Sequence, residues 1–123
     1  MELRPLYFVG STRDDLRELP EDVKDVFGYA LYLAQLGNMH PRSKPLRGFS
    51  GAGVIEIIDN DESGTYRAVY TVRLADAIYV LHVFQKKSRR GISTPRQEID
   101  LIKARLRQAE DHHAITYGRR AGH

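Results

Sequence analysis

The chain has 123 residues, 41% hydrophobic and 28% charged, with 19 Lys/Arg against 16 Asp/Glu and no cysteine. That length makes one domain with a real core. The composition excludes a disordered chain, and the missing thiols exclude disulfides and thiolate metal sites. No apolar run approaches the roughly 20 residues that span a bilayer. The opening MELRPLYFVG has too short an apolar run and too early a Pro for a secretory signal, so a cytoplasmic protein is expected. The net charge of +3 is unevenly spread: residues 1–37 carry 4 basic against 7 acidic side chains, and residues 84–123 carry 10 against 4. Such segregation points the C-terminal third toward a polyanion.

In chain order, residues 5–9 (PLYFV) read as a short strand with Pro5 at its first position, where no ladder N–H is lost. Ser11 or Thr12 can cap a short helix carrying Leu16 and Leu19, and Pro20 ends it. Pro20 followed by Glu21 and Asp22 also starts the next helix. Val23, Val26, Phe27, Ala30, Leu33, Ala34 and Gly37 recur there at core-facing spacing, and Gly37-Asn38 stops it. The polar side of this helical hairpin, with Asp14, Asp15, Glu18, Glu21, Asp22 and Asp25, is expected to be solvated surface turned away from any nucleic acid.

Residues 38–53 are rich in Pro, Gly and Ser and read as a loop; its Arg42, Lys44 and Arg47 meet no acidic residue. His40 has no ligand-spaced partner. Three strands follow, at 54–59, 65–73 and 78–85, joined by short turns as an antiparallel meander. The last strand is apolar on both faces, as a covered central strand would be. It runs into Lys86, Lys87, Arg89 and Arg90, and then into Thr94-Pro95-Arg96-Gln97, a capping box that opens a helix carrying Ile99, Ile102, Leu106 and Ala109. These five cations, Arg96 included, fall within eleven residues without an acidic neighbour. They make the candidate RNA-facing rim.

After Asp111 the periodicity stops. Residues 1–111 are therefore expected to be a single domain and 112–123 a basic, loosely ordered tail. The order is strand, helix, helix, three strands, helix: an α+β sandwich with its helices on one side of a small, mainly antiparallel sheet.

Strand parity puts Arg67, Val69, Thr71 and Arg73 on one face and Tyr66, Ala68, Tyr70 and Val72 on the other, the better core face. Arg67 thus calls for an open or ligand-bearing side of the sheet, or for a pairing with Glu56 on the neighbouring strand. One of Lys86 and Lys87 can converge with Arg67 on a phosphate, but parity forbids both. His82 shares parity with Val80 and Phe84, which favours a core-edge histidine over a base. There is no phosphate-binding glycine loop, no HExxH, no nucleophile elbow and no EF-hand spacing. His112 and His113, being adjacent, do not share a helix face for a metal.

The element order, with Leu46-Arg47-Gly48 ahead of the sheet, Tyr66-Arg67-Ala68-Val69-Tyr70 within it and His82-Val83-Phe84-Gln85-Lys86-Lys87 closing it, resembles the RelE/HigB toxin superfamily. HVFQKKS followed by TPRQEID is most similar to the phage-derived Gp49-like branch of HigB toxins, over about residues 3 to 110. The resemblance implies the toxin of a type II toxin–antitoxin pair, a RelE-like fold, and ribosome-dependent cleavage of mRNA by 2′-OH attack on phosphate, with no metal or cofactor. Its partners would be the ribosome, the messenger and a cognate helix-turn-helix antitoxin. Arg67 would stabilise the phosphorane, with Lys86 and Lys87 as further catalytic cations. Lys44, Arg47, Arg89, Arg90 and Arg96 would contact RNA backbone. Two departures stand out: the strand at 54–59 carries Glu56 and no lysine, and the last helix starts with Ser93 and Thr94 and no tyrosine. Glu56 or His82 is then left as acid or base. The alternatives are a ParE-like gyrase binder without nuclease activity, or a phage-derived protein that has lost toxicity. Arg67→Ala, or Ala at both lysines, is expected to relieve growth arrest with folding intact.

Overall fold

The computed structural model describes residues 3–49, 53–86 and 94–118. β1 (Leu6–Phe8) leads into α1 (Thr12–Arg17) and α2 (Glu21–Gln35), and β2 (Ser43–Pro45), β3 (Val54–Asp61), β4 (Gly64–Thr71) and β5 (Ile78–Lys86) precede α3 (Arg96–Tyr117). The five strands form one sheet in the order β1-β5-β4-β3-β2. β2 to β5 are antiparallel neighbours, whereas β1 joins the far edge parallel to β5, with Leu6 opposite Ile78. The expected α+β, RelE-like order holds, with one strand added: β2 lies inside the stretch read as a loop. It is three residues long and carries Lys44 and Pro45, the charge and proline that keep an exposed sheet edge from pairing further.

The helices do not share one side. α2 buries Val23, Phe27, Ala30, Leu31 and Ala34 against Ile55, Ile57, Ala68, Tyr70 and Val80 on one sheet face. On the other face α3 buries Ile102 and Ala109 against Val54, Val69, Tyr79 and Leu81. The apolar period of α3 matched a core helix but carried no information on which face it covers. α2 ends in a Schellman turn. Gly37, at φ +87, donates to the Ala34 carbonyl (3.0 Å) and Asn38 to that of Leu33 (2.8 Å), so Gly37 terminates the helix and is not part of its stripe.

A bulge reorders β5. Val69 faces His82 and the next residue, Tyr70, faces Val80, which leaves Leu81 as an extra residue. Parity therefore resets within β5: Leu81 and Phe84 pack on the α3 side, and Val80 and Val83 on the α2 side. His82 does not share Val80's face, as uninterrupted alternation predicts. Its ring stacks on Phe84 (4.5 Å, 19°) and it hydrogen-bonds α3.

α3 continues to Tyr117, beyond the loss of apolar period at Asp111, because polar and aromatic contacts hold its end. His112 Nδ1 bonds Tyr79 Oη (2.7 Å), His113 Nε2 meets Asp76 Oδ2 (3.0 Å), and Tyr117 Oη bonds Tyr7 Oη (2.9 Å). Stacked rings of Tyr7 and Tyr79 (5.1 Å) complete the cluster. Burial, then the nearby oxygens of Tyr7, Tyr117 and Asp76, push the Tyr79 hydroxyl up to about 12. Among the described residues no helix is long and apolar enough to cross a membrane.

Candidate functional site

Three antiparallel strands determine which charged side chains meet. Glu56 stands opposite Val69, Arg67 opposite Ile58 and Phe84, and Lys86 opposite Thr65. Facing residues share a side of a sheet, so Glu56, Arg67 and Lys86 lie together on the side that α3 covers. There Arg67 is only 2% exposed. Its Nη1 donates to Glu56 Oε1 (2.8 Å) and to Thr94 Oγ1 (2.9 Å). The face expected to be open is thus closed over Arg67, and the weighed alternative, a pairing with Glu56, is what the chain adopts, buried at both ends. A buried pair of this kind costs heavily if one partner is removed, because the other is left charged away from water.

Lys86 lies on the Arg67 side and is also buried, at 7% exposure. Burial, then the Arg67 charge, lowers its pKa below the usual lysine value, with Glu56 acting in the opposite sense. A lysine that surrenders its proton more easily is suited to general-acid work. Lys87, Arg89 and Arg90 lie outside the described residues.

Beside this cluster opens a cleft of about 490 Å³. Pro45, Leu46, Gly48 and Ile99 form its apolar wall, and Lys44, Arg47, Glu56 and Thr94 its polar one. Arg67 is bonded to both Glu56 and Thr94 and so lies directly behind the cleft's polar wall. Lys44 and Arg47 are exposed, and Lys44 is held opposite Glu56 by the β2–β3 register. Arg42, from the same loop, is committed to Asp59. Arg96 projects into solvent with its side chain 90% exposed, 4.0 Å from Asp100, a geometry worth little to stability.

Thr94 is the residue whose role the sequence obscured. The capping box assigns its hydroxyl to the start of α3, yet the cap position falls one residue later, at Pro95, ahead of a helix that runs from Arg96, and no side-chain capping bond forms. The hydroxyl serves Arg67 instead. No signal in the sequence distinguishes a threonine that caps from one that bonds across to a strand.

His82 belongs to a different network. Arg105 donates toward its Nδ1 (3.4 Å), which leaves Nε2–H to donate to Glu98 Oε1 (2.5 Å). Arg105 also bonds the Leu81 carbonyl (3.1 Å) and Ser11 Oγ (3.3 Å). A Cβ on Gly10, at φ +60, would meet this guanidinium at 2.8 Å, so glycine there serves both the backbone and the close approach. This network ties α3 to β5 and to the entry of α1, with Phe84 stacked between the imidazole and the Arg67 position. Among the described residues no three His, Cys, Asp or Glu gather to hold a metal ion.

Residues 14–107 match the family described as phage derived protein Gp49-like, and the protein belongs to that family. A free-state mutant of the E. coli toxin RelE superimposes with a TM-score of 0.50 at 18% identity, covering 88% of this chain and 98% of that one. The toxin–antitoxin complex RelBE2 of Mycobacterium tuberculosis gives a TM-score of 0.46 at 24% identity, covering 72% of this chain and 97% of that one. No curated protein matches the sequence. The fold is that of the E. coli toxin RelE.

Proposed function

We propose that this Gp49-like protein is the toxin of a type II toxin–antitoxin pair and cleaves mRNA on the ribosome. The observation that carries the reading is the convergence of Arg67, Lys86 and Glu56 on adjacent strands, behind a cleft edged by Lys44 and Arg47. Attack of a ribose 2′-OH on the neighbouring phosphate passes through a dianionic phosphorane, then releases the 5′-oxygen and leaves a 2′,3′-cyclic phosphate. Two preorganised cations stabilise that charge, and they act most strongly where water is excluded. Arg67 would receive the phosphoryl oxygens in exchange for its bond to Thr94, while Glu56 keeps the guanidinium aimed. Lys86 would donate a proton to the leaving 5′-oxygen, and the proton of the attacking 2′-OH would pass to solvent water. Lys44 and Arg47 would hold the flanking backbone, a sequence-blind and salt-sensitive task. A cognate antitoxin would keep the protein inactive until released.

Controlled expression in a bacterial host tests this. Growth should arrest and messenger should be cut at ribosome-occupied positions, with both effects lost in Lys86→Met. Uncut messenger in arrested cells would overturn the nuclease reading, and accompanying defects in DNA topology would redirect it to gyrase.

A further inference from the structure

The cleft in front of Arg67 asks more of its occupant than a phosphate. Its wall of Pro45, Leu46 and Ile99 is apolar, its rim carries two exposed cations, and the carboxylate in its lining belongs to Glu56, 4% exposed. About 490 Å³ lies within the range of small-molecule sites. An ionised carboxylate only accepts hydrogen bonds and offers about four lone-pair sites. Arg67 holds Oε1 with one bond, which leaves further lone pairs on the carboxylate for a ligand. A ligand that suits this cleft brings a flat apolar body, adjacent donors for the carboxylate and negative charge for the rim.

We infer that the cleft is a guanine-reading subsite in which Glu56 is the specificity-determining residue; the inference rests on the nuclease reading for its polymer substrate. Guanine places a ring N–H and an exocyclic amino group side by side, so both donate to one carboxylate. Adenine and cytosine set a ring acceptor beside their amino group, and uracil flanks its single N–H with two carbonyls. Each of those three turns a lone pair toward the negative charge. Arg67 preorganises the reader by fixing one carboxylate oxygen, which ties base selection to the group that would meet the phosphate. Gly48 adds room: nothing lies within 4 Å of the position a Cβ would take there.

The test is titration of the full chain with GMP, AMP, CMP, UMP and ribose 5-phosphate, followed by calorimetry and by amide NMR. GMP should bind at least about tenfold more tightly than UMP, the scale of a good bidentate contact to a base. Glu56→Gln should bring that ratio close to one; the ratio is decisive because losing a negative charge alters affinity for every phosphate. If Glu56→Gln does not fold, Ile99→Phe keeps the carboxylate and narrows the cleft, and should weaken GMP much more than ribose 5-phosphate. Equal binding of the four nucleotides, a GMP preference that survives Glu56→Gln, or an unselective loss in Ile99→Phe would overturn the inference. A protein that prefers GMP but leaves messenger whole would retain the subsite and lose the nuclease reading.

Discussion

The two faces of the sheet are built from the same strands and do opposite work. Toward α2, Ile57, Ala68 and Val80 are fully buried among Val23, Phe27 and Ala30, and the buried carboxylate on that face, Asp59, lies near the end of β3 and pairs with Arg42. Toward α3, the layer is apolar around Val54, Val69 and Leu81 but carries Glu56, Arg67, Lys86 and His82, all at least nine-tenths buried. A folded chain tolerates such a face only if each charge has a partner. The difference shows where stability and chemistry have been separated: one face holds the domain together, and the other spends packing on charge.

The largest effect should come from breaking the polar face at its centre. Arg67→Ala strands Glu56 and should cost about 3–5 kcal/mol in urea unfolding, together with growth arrest. The sequence alone predicted unimpaired folding for this change; its burial reverses that. Replacing the pair together, Arg67→Met with Glu56→Leu, should recover most of the stability and none of the arrest, which separates the two roles. On the opposite face Phe27→Ala should cost a similar amount, about 3–5 kcal/mol. The protein that remains folded should still cut messenger.

Two alkaline titrations, both from the side of the sheet that α3 covers, run in opposite directions. Lys86 has a lowered pKa, so between its folded value and 10.5 the unfolded chain binds more protons and stability rises with pH. In Lys86→Met that rise should vanish from a series of denaturation midpoints. Tyr79, raised to about 12, stabilises fully below pH 10, and its contribution is lost as pH climbs from 10 toward 12. Tyr79→Phe should flatten that fall. The smallest effect is expected at Arg96, exposed beside Asp100: Arg96→Ala should shift stability by no more than about 0.5 kcal/mol.

Local rules reached much of this. Pro20, the acidic first turn of α2 and Gly37-Asn38 mark helix ends by chemistry that acts within a few residues, and the strands expected at 54–59, 65–73 and 78–85, observed at 54–61, 64–71 and 78–86, announce themselves by β-branched and aromatic runs. Parity placed Arg67 opposite the core face for the same reason. The edge strand β2 was hidden because three residues containing a proline carry no period.

What the sequence by itself determined is therefore the inventory: an α+β chain with a basic C-terminal third, an arginine on the minority face of a central strand, and a lysine pair at a strand end. Only the tertiary structure decided that α3 crosses to the second face and closes over Arg67, that a bulge in β5 separates His82 from Val80, and that Thr94 bonds an arginine 27 residues away. It also places Lys86 on the Arg67 side. Each of these depends on which surfaces meet across long sequence separations, and hydrophobic period states that a face is buried without stating by what.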